Sequence, residues 1–181
     1  MDFQPLLDEI VHRLAPEAGR EGAVARYIPA LARIDPRHFG IALRTGAGEE
    51  ATAGDGGVRF SIQSISKLFT LTLAMRHLSE DALWSRIGRE PSGNPFNSLV
   101  QLESEHGKPR NPFINAGAIA VADRIVGLYG RDAKSELLAF MSHLAGEPIA
   151  FDPEVAASEA ATGYRNYALA NFMKSFGKLD H

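Results

Sequence analysis

Ser64 and Lys67 are the two residues whose types and spacing most directly suggest chemistry. Residues three apart share one face of a helix, so the Lys67 amine could take the proton of the Ser64 hydroxyl and make it a nucleophile. The pair lies where an alternating stretch, residues 58–63, gives way to a strongly apolar one, residues 64–78. This junction predicts a strand followed by a helix, and a helix start offers backbone N–H groups for an oxyanion.

The same pair also has a purely structural interpretation. Ser64 could cap the helix while Lys67 extends its ammonium to solvent, and the motif alone leaves both interpretations open. Catalysis requires a neutral amine, and neutralising a lysine of pKa near 10.4 at pH 7 costs roughly 4.6 kcal/mol. Burial beside Ile65, Leu68 and Phe69 could lower the pKa of Lys67 by that much.

Ser-x-x-Lys occurs a second time, at Ser175 and Lys178. Gly177 lies between them at what the pattern indicates is a helix end, so these two side chains need not share a face. We therefore assign no function to the second pair.

The composition restricts the class of protein. With 181 residues, 45% hydrophobic and 23% charged, the chain can form one domain with a substantial core. The net charge of -3 and the lack of a basic stripe argue against a nucleic-acid partner. No cysteine is present, which excludes disulfides, thiolate metal sites and cysteine nucleophiles. The histidines show no metal-ligand spacing, and we expect neither a metal nor a cofactor.

Two features of the sequence indicate where the protein is located, namely its first residues and the length of its apolar runs. The first residues are acidic and amphipathic, unlike a signal peptide, and the longest apolar run without a charge, residues 113–122, is too short to span a bilayer. We expect a soluble, cytoplasmic protein without membrane contact.

Periodicity predicts an order of elements. Helices are expected over residues 3–14 and 22–33, followed by strands over residues 38–44, 50–54 and 58–63 in an antiparallel meander. The third strand would lead into a helix that is apolar nearly all round and therefore central and buried. Further helices are predicted over residues 78–87, 96–105, 115–129, 132–144, 153–161 and 164–176.

The predicted fold class is α+β. Antiparallel strands would pack on the central helix in residues 1–80, and residues 81–181 would form a helical part of the same catalytic domain. Three strands make a narrow sheet with two open edges. We therefore expect the sheet to be incomplete and residues 1–181 to be the front part of a longer protein.

Several blocks of the chain resemble the signature blocks of the serine-dependent glutaminases. Three are Phe-Ser-Ile-Gln-Ser-Ile-Ser-Lys, Glu-Pro-Ser-Gly-Asn-Pro-Phe-Asn and Arg-Asn-Pro-Phe-Ile-Asn-Ala-Gly-Ala-Ile, at residues 60–67, 90–97 and 110–119. Tyr-Ile-Pro-Ala-Leu at residues 27–31, and Ser158-Glu159 with Arg165-Asn166, resemble two more. That family is similar to the serine β-lactamases and penicillin-binding proteins in fold. The resemblance implies hydrolysis of L-glutamine to L-glutamate and ammonia through an acyl-enzyme.

The resemblance also implies roles for single residues. Ser64 matches the nucleophile and Lys67 its proton-transfer partner, and the positions that hold substrate match Tyr27, Ser64, Asn115, Glu159 and Asn166. A carboxylate suits the α-ammonium of glutamine, and amides and a phenol suit its α-carboxylate. Glu159 and Asn166 would share a face of an unbroken helix, although Gly163 between them could break it.

Each substrate-binding residue has a simpler interpretation. Tyr27 could be a core residue with a satisfied hydroxyl. Asn115 and Asn166 could each cap a helix, and Glu159 could be a solvated helix charge.

Two other functions remain open. One is a related serine amidase acting on a β-lactam or a peptide. The other is a truncated, non-catalytic chain that self-associates through exposed apolar surface. In the family, further substrate-contacting tyrosines, a second oxyanion donor and the closing strands lie later than residue 181, so the activity of the 181-residue chain is itself open. We also expect a homo-oligomer, either a dimer or a tetramer.

Overall fold

The computed structural model describes residues 2–181, which form two compact units. One contains the chain up to Ser61 together with Asp152–Thr162, and the other contains Ile62–Phe151 together with Gly163–His181. The described residues contain two strands, β1 (Gly40–Arg44) and β2 (Glu50–Gly54), and the helices α1 (Gln4–Leu14), α2 (Ser66–His77), α3 (Glu80–Trp84), α4 (Leu99–Ser104), α5 (Asn115–Tyr129), α6 (Ala133–Ala145), α7 (Pro153–Thr162) and α8 (Tyr164–Ser175). The predicted single catalytic domain over residues 1–181 stays a prediction.

The first unit is built around a small antiparallel sheet. β1 and β2 pair with Ala42 opposite Thr52. The amphipathic helix α1 buries Leu7 against Ala51 and Ala53 of β2. The mixed helix-and-sheet class, α1 and the first two predicted strands are confirmed.

Helix α7 belongs to this first unit although it comes late in the chain. The carboxylate of Asp152 caps the helix by accepting the N–H groups of Glu154 and Val155, each at 2.9 Å. The Ser158 hydroxyl accepts the N–H of Ala30 at 3.1 Å. Arg33 pairs with Glu154. These contacts hold α7 against the segment that follows residue 27.

The predicted helix over residues 22–33 is wrong. Only the short 3-10 turn Leu31–Arg33 forms there. Gly22 has φ +81°, outside the helical region, and Pro29 would interrupt a helix because it has no N–H and its ring clashes with the preceding turn.

The predicted third strand is also wrong, and the sheet has two strands in the described part of the chain. The Val58 N–H bonds back to the Asp55 carbonyl at 2.8 Å, closing a turn directly after β2. Residues 58–62 belong to no strand, and Phe60 is 76% exposed. An alternating apolar pattern forms a stable strand only where a neighbouring strand pairs with it and a core covers its apolar face.

The second unit is centred on α5. This helix buries Ala116, Gly117, Ala120 and Val121, and it packs against α2, α6 and α8. Small side chains let the neighbouring segments approach closely. The tightest approach is at Gly117, where a Cβ atom would lie 1.8 Å from the Asn111 carbonyl oxygen.

Helix α2 forms, but it is not buried on all sides as predicted. Its buried residues are Leu71, Leu73 and Ala74, which face the core around α5. Ile65, Leu68 and Met75 are each more than half exposed. Their spacing places them on one face, which the described helices leave uncovered. The prediction from the apolar composition of α2 therefore overestimated how much of its surface is buried.

The remaining predicted helices form close to their expected bounds, with one change. The segment predicted as helical over residues 78–87 turns at Leu78, and only Glu80–Trp84 is helical. Ser79 starts that helix by accepting the Ala82 N–H at 3.2 Å. Across residues 2–181, no helix combines the length and apolarity needed to cross a membrane.

The close approach at Gly117 gives a stability prediction. Gly117→Ala should lower the free energy of unfolding by about 1–3 kcal/mol because its methyl group meets a backbone oxygen that cannot rotate away. Gly127→Ala in the same helix is the matched control, since its Cβ would meet only the movable His181 ring. The control should gain up to about 1 kcal/mol of helix stability. Urea denaturation followed by circular dichroism measures both, and equal stabilities would contradict the prediction.

Candidate active site

The Lys67 side-chain nitrogen is the polar centre of the site. It donates to the Phe113 carbonyl at 3.0 Å and to the Asn115 Oδ1 at 2.8 Å. The side chain is half-buried, and burial lowers the pKa of Lys67 below the ordinary value of 10.5. The Phe96 ring, with its centroid 5.7 Å from Nζ, acts in the opposite direction by favouring the ammonium.

Ser64 stands three residues before Lys67, exposed, in the 3-10 turn Gln63–Ile65 that leads into α2. The N–H groups of Ile65 and Ser66 donate to backbone carbonyls within this segment, including those of Ile62 and Gln63. The oxyanion donors that a helix start can offer therefore stay a prediction here. Within residues 2–181, no hydrogen bond joins Ser64 Oγ to Lys67 Nζ. Ser64 and Lys67 therefore lie on consecutive turns of the chain. The Lys67 amine points to the Phe113 carbonyl and the Asn115 amide.

The structural interpretation of this pair is wrong on both counts. The residues that precede the 3-10 turn and α2 are Ile62 and Ile65, and neither turn nor helix has a side-chain cap. Ser64 is therefore not a helix cap. Lys67 does not extend freely into solvent, because its Nζ atom is hydrogen-bonded to two acceptors at the start of α5.

Gln63, directly before Ser64, has an unusual backbone conformation. Its φ of +43° is rare for a residue with a long side chain, and such conformations cost on the order of 1–3 kcal/mol. The Ser66 hydroxyl donates to the Gln63 carbonyl at 2.7 Å and braces the turn. This backbone conformation could not be predicted from the residue type, since glutamine does not favour positive φ.

Asn115 connects two other predicted site residues, Lys67 and Asn166. Its Oδ1 accepts from Lys67, and its Nδ2 donates to Asn166 Oδ1 at 3.1 Å. The capping interpretation of Asn115 is wrong, because Ile114 precedes the helix and Asn115 is its first helical residue. Asn115 is instead held by its own N–H, which donates to the Phe96 carbonyl at 2.8 Å.

Asn166 lies in the first turn of α8 and is exposed. It does not cap that helix, since Gly163 occupies the cap position and no side chain caps α8. Helix α7 ends at Thr162, so Glu159 and Asn166 stand on separate helices, and the shared face that an unbroken helix would give does not form. Gly163 does interrupt the helix between them.

Tyr27 and Glu159 both belong to the first unit, whereas Ser64, Lys67, Asn115 and Asn166 belong to the second. Tyr27 is 74% exposed in a turn, so its interpretation as a core residue is wrong. Glu159 is exposed on α7, next to the serine that bonds the Ala30 N–H. The substrate-binding roles of both residues stay predictions.

Sequence reasoning missed the backbone acceptor at Phe113 and the Asn111 side chain that bonds to the same turn. Asn111 Oδ1 accepts the N–H groups of Phe113 and Ile114 at 3.0 and 3.2 Å. The available signal was the Asn-Pro dipeptide at residues 111–112, which is typical of a turn. For the part of the chain that the structure describes, no cluster of three or more His, Cys, Asp or Glu could hold a metal.

Comparison with known proteins decides the family. Residues 22–181 match the sequence model of the family described as Glutaminase. The chain is 58% identical over 182 residues to the glutaminase of Rhizobium meliloti (strain 1021), covering 99% of this chain and 57% of that protein. The chain belongs to the glutaminase family.

Solved glutaminase structures share its fold. The probable glutaminase ybaS is 36% identical with a TM-score of 0.87, covering 99% of this chain and 58% of ybaS. Mglu in its glutamate form is 38% identical with a TM-score of 0.88, covering 98% of this chain and 40% of Mglu. The chain therefore spans 57% of the Rhizobium meliloti protein, 58% of ybaS and 40% of Mglu, which is less than two thirds of each.

The lowered pKa of Lys67 makes a prediction about stability. Between this lowered pKa and the ordinary 10.5, the unfolded chain binds more protons at Lys67 than the folded chain, so the free energy of unfolding rises with pH. Lys67→Met removes that contribution. The difference between wild type and this variant, measured by urea denaturation at several pH values, should grow in favour of wild type across the window. A difference independent of pH would contradict the burial of this amine.

Proposed function

We propose that this protein hydrolyses L-glutamine to L-glutamate and ammonia, with Ser64 as nucleophile and Lys67 as its base. The observation that carries the proposal is the placement of the Lys67 amine, three residues after Ser64 and held between Phe113 and Asn115. Membership of the glutaminase family supports the substrate, and the related Mglu has a structure described as its glutamate form.

The two acceptors suit Lys67 to act as a base. A neutral amine has two N–H bonds and one lone pair, and Phe113 and Asn115 can take both N–H bonds. The lone pair is then confined to the remaining tetrahedral direction instead of rotating freely. Burial, which lowers the pKa of Lys67, raises the share of amine in the neutral form that can accept the Ser64 proton.

The proposed reaction has two halves. Ser64 Oγ forms a bond to the side-chain carbonyl carbon of glutamine as its proton passes to Lys67. The carbon–nitrogen bond then breaks, and Lys67 returns the proton to the leaving nitrogen, which departs as ammonia. Water attacks the acyl-enzyme while giving a proton to Lys67, and that proton restores the Ser64 hydroxyl when glutamate leaves. Backbone N–H groups at the start of α2 stabilise the oxyanion in both halves.

Recognition of the substrate's amino-acid end is assigned to four further residues. The Glu159 carboxylate pairs with the α-ammonium, and Tyr27, Asn115 and Asn166 donate to the α-carboxylate. Asn115 has capacity for this role because an amide nitrogen carries two N–H bonds and Asn166 takes one of them. A β-lactam or simple peptide lacks this pair of charged groups, so a substrate panel separates these amides from glutamine.

Four broader proposals accompany the activity. The fold is of the β-lactamase-like type, and residues 1–181 belong to a single catalytic domain. The protein works in the cytoplasm as a homo-oligomer, a dimer or a tetramer. The block pattern of the sequence and the similarity to glutaminase structures support the proposed fold. The cytoplasmic location rests on the sequence pattern, and the homo-oligomer rests on the family resemblance.

Ser64→Ala tests the proposed nucleophile. Ammonia release from glutamine should fall to below about one ten-thousandth of wild type, because alanine has no hydroxyl with which to form the acyl-enzyme. Ser175→Ala, in the second Ser-x-x-Lys sequence, is the matched control and should retain activity. Its hydroxyl donates to the Phe172 carbonyl at the end of α8. Activity retained in Ser64→Ala would refute the mechanism, and inactive wild type would refute the activity of this chain.

Glu159→Gln tests the ammonium site. The KM for glutamine should rise about 10- to 100-fold, since a charge-assisted hydrogen bond is worth roughly 1.5–3 kcal/mol, while kcat changes less. Glu154→Gln is the control on the same helix, because Glu154 pairs with Arg33. An unchanged KM in the Glu159 variant would remove that residue from the substrate site.

A further inference from the structure

Asn111 lies behind the acceptors of Lys67 without contacting Lys67 itself. We propose that Asn111 is a positioning residue, which fixes the Phe113 carbonyl and through it the direction of the Lys67 amine. The positioning stands on the contacts alone, whereas its catalytic consequence rests on the proposed function.

The Asn111 side chain ties together three backbone groups. Its Oδ1 accepts the N–H groups of Phe113 and Ile114 at 3.0 and 3.2 Å, and its Nδ2 donates to the Glu90 carbonyl at 2.8 Å. A single planar amide therefore orients the turn before α5 and links it to a segment some twenty residues earlier in the chain.

The planar peptide unit between Phe113 and Ile114 connects the Asn111 side chain to Lys67. The Phe113 carbonyl and the Ile114 N–H belong to one rigid trans peptide unit and point in opposite directions. Asn111 binds the N–H on one side of this unit, and Lys67 Nζ donates to the carbonyl on the other side at 3.0 Å. Holding the N–H therefore aims the carbonyl, and a hydrogen bond at one end also makes the other a stronger acceptor.

The support behind Asn111 is itself fixed. The Gly88 N–H donates to the Pro109 carbonyl at 2.7 Å, and the Glu90 N–H donates to the Arg110 carbonyl at 2.9 Å. On the other side, Gly117 of α5 packs directly against the Asn111 backbone. Asn111 is thus held in place between the loop at residues 88–90 and helix α5. A side chain fixed in this way can in turn fix the peptide group to which it bonds.

A purely structural role for Asn111 predicts a different outcome. In that case its loss would lower stability but leave the amine of Lys67 ordered in the molecules that remain folded. A positioning role requires the Lys67 amine to lose its hydrogen-bonded order in the folded protein. It also requires kcat to fall while KM stays nearly constant, because Asn111 does not bind substrate.

The direct test is the lysine ammonium spectrum. In mildly acidic buffer, ¹⁵N correlation spectra detect ammonium groups whose protons are protected from exchange, and Lys67→Met identifies the Lys67 signal. Wild type should show this signal. Asn111→Ala should lose it. Asn111→Asp keeps the oxygen acceptor for both N–H groups but gives up the donor to the Glu90 carbonyl, so it should retain part of the signal. Asn171→Ala is the control, since that amide also donates to a backbone carbonyl, at Tyr167, away from Lys67.

Activity measurements give the second readout. Asn111→Ala should lower kcat for glutamine about a hundredfold through misplacement of the base, with KM within about twofold of wild type. Asn171→Ala should match wild type in both constants. If Asn111→Ala does not fold by circular dichroism, Asn111→Ser takes its place and should show a weakened Lys67 signal, because a hydroxyl makes the same turn less strongly.

The outcomes separate the two proposals. Wild type that releases no ammonia refutes the proposed function, and the ammonium spectra still decide the positioning. An unchanged Lys67 signal in folded Asn111→Ala overturns the positioning, as does its absence from wild type. Loss of the signal in Asn111→Asp as complete as in Asn111→Ala overturns the acceptor role of the side chain.

Discussion

A half-buried lysine amine must be supplied with acceptors, and the site of this protein is arranged around that requirement. Burial lowers the pKa of Lys67, and the Phe113 carbonyl and the Asn115 amide receive its N–H groups. Both acceptors lie at the start of α5. The start of α5 must therefore be held at a fixed place beside α2, and much of the second unit serves that end.

The composition of α5 makes the close packing possible. Its first turns carry alanine and glycine where they face the neighbouring segments, and the backbone of residue 111 approaches Gly117 more closely than any side chain would allow. The loops at residues 88–90 and 109–111 are joined by backbone hydrogen bonds behind this contact. These loop residues thus form an ordered support, since backbone groups of the two segments are hydrogen-bonded to each other.

Local sequence patterns predicted most of the helices and failed where long-range contacts decide. Helix α5 forms over its expected residues because apolar and small residues recur at helical spacing and a glycine ends it. The strand expected at residues 58–63 does not form, because alternation says nothing about whether a partner strand lies alongside. The exposed face of α2 has the same origin, since Ile65, Leu68 and Met75 show apolar character but not which neighbour covers it.

The sequence by itself determined the order of most helices, the three-residue spacing of Ser64 and Lys67, and the blocks that match the glutaminase family. These depend on residue type and local periodicity, which are visible in one dimension. Only the tertiary structure placed Asn115 between Lys67 and Asn166, made Phe113 an acceptor and put Asn111 behind both. These contacts join residues far apart in the chain, or use backbone groups that every residue possesses. Their geometry is therefore set by packing, which no spacing of residue types records.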